Sequence, residues 1–253
     1  MTRSFVVKKR MLLILLAATI YGVCFAQSQI PKTAEAYFEK GKTFFDGGNY
    51  EKAITEFSHA IRLYPNYTNA YFLRGAAYSE KGDYDNAIKD YNQVITLSPG
   101  FANAYYYRGI AHGNRGDYDN AIADYSHVIR LSPNNANAYS YRGHAYFTKG
   151  DYDNAIVDFS HVIRLFPNNA DAYYARGVAY LNKEDFDKVI ADFTQVIRLK
   201  PNDANALNIR GSMYYNKGDI NKALLDWEAA LRIDSNHVDA RLNIEHIRRE
   251  RGY

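Results

Sequence analysis

Seven histidines, one cysteine and 28 acidic residues are the raw material for chemistry in this 253-residue chain. Their spacing assembles no familiar reactive constellation. His59, His127 and His161 recur at intervals of 68 and 34 residues, so they hold one place on three separate elements. Neighbouring helices lie roughly 10 Å apart, too far for three such imidazoles to share an ion, and a surface residue copied with its surroundings is the expectation. There is no H-E-x-x-H, no C-x-x-C, no nucleophile elbow and no Gly-rich phosphate loop. A nucleophile needs a base within reach, and no pair of residue types at a suitable spacing offers one. The sequence therefore predicts no enzyme, no cofactor and no metal centre.

Charge narrows the field further. The formal +3 is 31 Lys and Arg less 28 Asp and Glu. Arg3, Lys8, Lys9 and Arg10 lie in the first ten residues and residues 1–26 contain no acid, so the remainder carries 27 − 28 = −1. A near-neutral body lacks the basic footprint of a nucleic-acid binder. The cationic start leads into an apolar run from Met11 to Ile20, shorter than the ~20 residues a spanning helix needs. Cys24 and Ala26 are small residues suitably placed for a cut before Gln27. Residues 1–26 thus read as an export signal, giving a periplasmic or secreted chain without a membrane span. Lipid anchoring through Cys24 is the alternative. Cleavage after Ala26 would leave no thiol, so stability would rest on packing alone.

The elements that carry these residues are repetitive. Prolines stand at Pro31, Pro65, Pro99, Pro133, Pro167 and Pro201, each 34 residues after the last. Gly41, Gly75, Gly109, Gly143, Gly177 and Gly211 keep the same step, as do Ala53, Ala87, Ala121, Ala155, Val189 and Ala223. So do the aromatics Phe57, Tyr91, Tyr125, Phe159, Phe193 and Trp227. Taking Ala102 as position 1, the pattern predicts a helix over 102–114, a turn at 115–117 and a second helix over 118–131. Ser132-Pro133 ends it, because proline lacks an N–H and biases its predecessor out of the helical region. Gly116 suits a left-handed helix end and Asp117 an N-cap. A mid-helix Gly109 costs about 1 kcal/mol relative to alanine. That cost makes sense if the second helix crosses there, with Ala121 as the expected small partner and Tyr105 and Tyr125 to either side.

An aromatic at 4, Gly at 8, Tyr at 11, Ala at 20, an aromatic at 24 and Pro at 32 are met by Tyr105, Gly109, His112, Ala121, Tyr125 and Pro133. The next unit supplies Tyr139, Gly143, Tyr146, Ala155, Phe159 and Pro167. This period and these residues resemble the tetratricopeptide repeat (TPR) family. The resemblance covers 34–67, 68–101, 102–135, 136–169, 170–203 and 204–237, after a short segment 27–33. Residues 238–253 hold a further first helix, rich in arginine, that resembles the polar cap of a solenoid. The implied fold is all-α, a right-handed superhelical solenoid of antiparallel helix pairs. The implied role is a non-catalytic protein-interaction scaffold.

By the same resemblance, positions 2, 5, 6, 9, 12 and 13 line a concave groove. The residues expected to meet a partner there are Asn69, Phe72, Asn103, Tyr106, Tyr107, Gly113, Asn137, Tyr141, Phe147 and Tyr174. Amides can bond an extended peptide backbone while rings pack its side chains. The competing reading is that the rings only pack between adjacent first helices. Small Gly113 and Ser79, where Phe45, Phe147 and Tyr215 are large, suggest a notch bordered by Tyr106, Tyr107 and Tyr141. The six positions hold Glu35, Glu39, Asp46, Glu80 and Asp171 against Lys42, so a neutral, basic or apolar protein or peptide is the expected partner. A TPR subfamily clamps chaperone C-termini with Lys at position 5 and Asn or Arg at 6. Those residues are missing here. The alternative function is a self-assembling, homo-oligomeric subunit of a cell-envelope complex.

Two departures carry structural expectations. Glu184 stands where the other five turns have glycine, which predicts a strained left-handed residue and a weak fifth hairpin, with Val189 spreading its helices. Position 7 is cationic in every unit (Lys40, Arg74, Arg108, Arg142, Arg176, Arg210) and position 23 acidic (Glu56, Asp90, Asp124, Asp158, Asp192, Asp226). The first unit has no predecessor yet keeps Lys40, and the final helix has no partner helix and carries Ile244 instead. Both ends predict pairing within each hairpin.

Overall fold

The structure, a computed structural model, describes residues 30–251; the export signal, its cleavage point and Cys24 lie outside the described residues. Two compact units divide them, 30–81 and 82–251, with the boundary in the turn of the second repeat. The described residues are helical throughout, without a strand.

Unit 30–81 holds α1 (Lys32–Asp46), α2 (Tyr50–Leu63) and α3 (Thr68–Glu80). α1 and α2 form a hairpin, and α3 packs on α2. Its core gathers Phe38, Phe45, Phe57 and Tyr67 with small Ala53, Ala60 and Ala70.

Unit 82–251 holds α4 (Tyr84–Leu97), α5 (Ala102–Asn114), α6 (Tyr118–Leu131), α7 (Ala136–Thr148), α8 (Tyr152–Leu165), α9 (Ala170–Asn182), α10 (Phe186–Leu199), α11 (Ala204–Asn216), α12 (Ile220–Ile233) and α13 (Val238–Arg251). α5–α6, α7–α8, α9–α10 and α11–α12 are hairpins, and each second helix also packs on the next first helix, up to α12 on α13. α5 and α6 match the sequence reading residue for residue. Every second helix opens on an acidic or amide N-cap: the Asp117 side chain accepts from Asn120 N and Asp151 from Asn154 N, satisfying a donor the helix leaves free. Five turns carry a glycine at positive φ, and Glu184 takes the same place at φ 57°.

The packing reason for the recurrent glycine differs from the expectation. A Cβ on Gly109 would come within 2.8 Å of Tyr125 Cε1, and one on Gly143 within 2.9 Å of Phe159 Cε1. The glycine makes room for the ring at position 24, which crosses directly over it. Ala121 instead lies near Gly113, whose Cβ would sit 4.0 Å from the Ala121 methyl. Nor does Val189 spread the fifth hairpin: a Cβ on Gly177 would come within 2.8 Å of Phe193 Cε2, as close as at its counterparts, and Val189 is fully buried.

The position-7 and position-23 charges pair within hairpins. Arg142 Nε and Nη2 donate to Asp158 Oδ2 and Oδ1 at 2.8 and 2.7 Å. Arg108–Asp124, Arg176–Asp192 and Arg210–Asp226 repeat this fork, and Lys40 Nζ reaches Glu56 at 2.7 Å. Asp158 is only 1% exposed. The free edge of the guanidinium goes further than the sequence implied. Arg142 Nη1 donates to Ser126 Oγ of the preceding second helix at 2.9 Å, and Arg74, Arg176 and Arg210 do the same to Ser58, Ser160 and Thr194. One planar fork thus joins three helices. Lysine suffices at Lys40, in the first repeat, because a point charge can serve the single carboxylate.

A second ladder joins consecutive repeats. Lys81 pairs with Glu51 at 3.0 Å and Arg115 with Asp85 at 2.7 Å, and Lys149–Asp119, Lys183–Asp153 and Lys217–Asp187 continue it. The cation is position 14 and the acid position 18 of the repeat before. Position 14 of the first repeat is Gly47, and position 18 of the sixth is Asn221. The ladder acid is missing from the sixth repeat although Arg251 holds position 14 of the helix that follows, so only the missing cation of the first repeat matches a missing partner.

Candidate partner-binding surface

The candidate residues sit on first helices, at positions 2, 5, 6 and 12, and the position-5 rings Tyr106 and Tyr174 reach the position-24 rings Tyr125 and Phe193. Asn69 and Phe72 belong to α3, where Asn69 is exposed and Phe72 packs on the core of unit 30–81. The other eight are on α5, α7 and α9 of unit 82–251.

There the tyrosines form one connected cluster. Tyr106 meets Tyr107 at 5.3 Å, Tyr125 at 6.1 Å and Tyr141 at 5.5 Å between ring centroids, edge to face in each case. Tyr141 leans on Tyr125 at 5.7 Å and Tyr107 stacks over Tyr91 at 6.4 Å. Burial, reinforced by its tyrosine neighbours, drives the Tyr106 hydroxyl far above its ordinary pKa, so it stays neutral at any working pH. Tyr106 is therefore a floor joining α5 to α7, as the packing reading held, while Tyr141 keeps 38% of its surface in solvent. Tyr174 and Phe147 are half-buried, edge-on to Phe193 at 5.1 Å and to Tyr152 at 5.3 Å within their own hairpins.

The amide row divides. The side chains of Asn103 and Asn137 make no hydrogen bond among the described residues, and Asn137 is exposed. At the same position, Asp171 is tied to Lys200 at 2.6 Å and Asn205 Oδ1 accepts from His237 Nε2 at 3.1 Å. Over α5, α7 and α9 the face carries two amides without a side-chain hydrogen bond among the described residues, Asn103 half-buried and Asn137 exposed, and no cation. Its one acid, Asp171, is already paired.

The notch at Gly113 opens elsewhere than expected. In two of the three repeats with an aromatic at position 12, that ring packs edge-on against the tyrosine at position 17: Phe45 on Tyr50 at 5.5 Å and Phe147 on Tyr152 at 5.3 Å; Tyr215 instead meets Trp227 at 5.9 Å. Gly113 cannot cover its counterpart, Tyr118, which stays partly exposed with no ring against it among the described residues. The gap lies over Tyr118, at the rim of the hairpin turn. The clue was position 17 in the sequence, which is aromatic in the first five repeats and pairs with position 12 across the turn.

The recurrent histidines have a structural account. His127 stacks on Tyr105 at 3.8 Å and His161 on Tyr139 at 4.6 Å, as His59 does on Tyr37 at 5.0 Å. The ring Nδ1 of each meets an arginine one turn on: Arg130 at 2.7 Å, Arg164 at 2.6 Å and Arg62 at 2.5 Å. Burial and the adjacent guanidinium hold His127 and His161 below the usual imidazole pKa, so each is a neutral acceptor. No group of three His, Cys, Asp or Glu among the described residues is placed to hold a metal ion. No helix among them is long and apolar enough to cross a membrane.

Comparison with known proteins agrees with this geometry. A pattern described as TPR repeat matches residues 41–82, 77–116, 114–150 and 143–184, and patterns described as tetratricopeptide repeat match 170–203 and 204–237. Among solved structures, the MamA protein is 28% identical with a TM-score of 0.63, covering 68% of this chain and 93% of its own. YrrB, described as a TPR protein with an unusual peptide-binding site, is 21% identical with a TM-score of 0.65, over 75% and 97%. The C-terminal part of a TPR repeat-containing protein from Cytophaga hutchinsonii is 22% identical with a TM-score of 0.71, over 78% and 79%. At the lower identities the likeness is one of fold. No curated protein sequence matches. With the helix pairs, their glycine-over-ring crossings and the family patterns all following one 34-residue period, the chain belongs to the tetratricopeptide repeat family.

Proposed function

We propose that this protein is an exported, non-catalytic scaffold that binds a neutral, basic or apolar peptide or protein segment along its first-helix face. The observation that carries the reading is a pair of amides, Asn103 and Asn137, without a side-chain hydrogen bond among the described residues at one position of consecutive repeats, with the partly exposed ring of Tyr141 on the same helix as Asn137. Amides left unbonded at a regular step can bond the backbone of an extended chain, and the ring can take a side chain. Anionic ligands find no cation on this face of α5, α7 and α9. The uncovered Tyr118 beside Gly113 offers a place for one bulky apolar anchor. YrrB's peptide binding is in keeping with such a role for the fold, but at 21% identity it locates no site here.

The test is a pull-down from envelope extract with residues 27–253, followed by titration of the recovered partner. Asn103→Ala with Asn137→Ala is expected to weaken it at least about tenfold, two backbone hydrogen bonds being lost. Gly113→Phe, which covers Tyr118 as Phe147 covers Tyr152, is expected to block the anchor while leaving the fold intact. Unchanged affinity in both variants would remove this face from the reading.

A further inference from the structure

In unit 82–251 most cations have an acidic partner. The position-7 arginines fork onto buried aspartates and the position-14 cations hold the inter-repeat ladder. One repeating row is treated otherwise. Arg130, Arg164, Arg198 and Arg232 occupy position 29 of four consecutive second helices, all four are exposed, and none forms an ion pair among the described residues. Arg130 and Arg164 rest on neutral histidines and Arg198 on Gln195 Oε1 at 2.9 Å. Only Glu228, on α12, brings an acid within one turn of the row in its own helix.

Two observations say what such a row would meet. The first is spacing. Arg142 of α7 bonds Ser126 of α6 and Asp158 of α8 at once, so successive second helices flank a shared first helix and the arginines recur as a row across them. A helix laid across the row can present carboxylates to it at a regular step along one face, seven residues advancing about 10.5 Å. The second is what flanks it. Seven residues before Arg164 and Arg232, on the same face of their helices, stand Val157, 53% exposed, and Leu225, 62% exposed. Four residues before those, position 18 carries the exposed ladder acids Asp119, Asp153 and Asp187 on α6, α8 and α10.

The exposed face of the second helices is thus banded: acid, apolar, arginine. A uniformly anionic surface would match the arginine band but leave the exposed Val157 and Leu225 unmatched, and the acids of the first band are already ion-paired. A protein segment can match the bands separately, and arginine beside apolar side chains is the composition of protein interfaces. We propose that this face of unit 82–251 docks an acidic amphipathic helix of a partner protein. Its carboxylates would pair with the arginine row, and its apolar side chains would cover Val157 and Leu225. This face is separate from the first-helix surface and does not depend on it.

The probe is a synthetic amphipathic helix of about four heptads, with glutamate at one heptad position and leucine on the neighbouring face. Its binding to residues 27–253 is followed by fluorescence anisotropy at several salt concentrations. Binding that weakens with salt is expected. The combined variant Arg130→Gln, Arg164→Gln, Arg198→Gln, Arg232→Gln should lower affinity at least about tenfold, and Val157→Asp with Leu225→Asp should lower it comparably without touching a cation. Gly113→Phe should leave it unchanged, which separates this surface from the first-helix reading. Equal affinity in the arginine variant, no binding of the probe, or stronger adsorption to phosphatidylglycerol vesicles than to the peptide would each overturn the proposal.

Discussion

The position-7 arginine is the residue on which each hairpin of unit 82–251 is set. Its guanidinium serves a buried aspartate, a hydroxyl or amide of the preceding second helix, and often the ring at position 4, as Arg142 lies 5.6 Å from the centre of Tyr139. Removing one member strands the other: Arg142→Met should cost about 3–5 kcal/mol because Asp158 is then buried and unpaired. The double variant with Asp158→Leu should recover much of that. Chemical denaturation of the four proteins of this cycle gives the coupling, and a value near zero would reduce the pair to two independent solvated charges. His112 stands where the neighbouring repeats have tyrosine, and its Nδ1 is buried without a hydrogen bond although Asp117 Oδ2 is 3.2 Å away. Burial outweighs the nearby aspartates and lowers its pKa. A base whose folded pKa is depressed contributes stability that is complete above the unfolded value of about 6.5. That stability is lost as the pH falls through this value toward the folded one. Thermal melts at pH 7.5 and 5 should therefore diverge more for the native chain than for His112→Tyr, and equal divergence would place the titration elsewhere.

At the scale of helices, two glycines on α5 and α7 should respond oppositely to one methyl. Gly143→Ala drives a Cβ to 2.9 Å from the Phe159 ring, and overpacking of this kind costs about 1–3 kcal/mol despite alanine's better helix propensity. Gly113→Ala meets only the Ala121 methyl at 4.0 Å and should stabilise by about 0.5–1 kcal/mol. Opposite shifts in unfolding midpoint are the expected result; a shared sign would mean that the ring at position 24 simply moves aside. The fifth hairpin carries its weakness in the turn and not in its crossing. Glu184 at φ 57° costs about 1–2 kcal/mol, so Glu184→Gly should raise stability. Hydrogen exchange is expected to show residues 176–200 opening more readily than 142–166 in the native chain and more slowly after Glu184→Gly; equal protection in the native chain would mean that the turn carries no strain.

For unit 82–251 as a whole, the last described helix, α13, differs from the other first helices in having one apolar and one polar face. Ala240, Ile244 and Ile247 are buried against the core of Leu207, Trp227 and Ala230. The residues at positions 4, 8 and 11 of α13, which in a repeat would face a second helix, are Arg241, Glu245 and Arg248, all exposed. Terminal repeats with a polar outer face keep such arrays soluble. Deleting 238–253 should uncover Trp227, the only tryptophan. Its emission is expected to shift to the red and the unfolding midpoint to fall; an unchanged spectrum would mean that α13 contributes nothing to that core.

What the sequence determined by itself is everything that the 34-residue period and local chain chemistry control. Helix limits follow from N-cap aspartates and the proline stop. The left-handed turn follows from a glycine place that Glu184 occupies, and pairing within hairpins from the exceptions Lys40 and Ile244 at the two ends. What only the tertiary structure decided is which side chain faces which across an interface. The recurrent glycine yields to the ring at position 24 and not to the alanine at 20. Tyr106 is spent on joining α5 to α7, the gap at Gly113 opens over Tyr118, and each arginine fork reaches a third helix. Such outcomes depend on side-chain direction at helix crossings, where a rotation of one residue exchanges neighbours. A repeat pattern states that two positions recur together but not whether they touch.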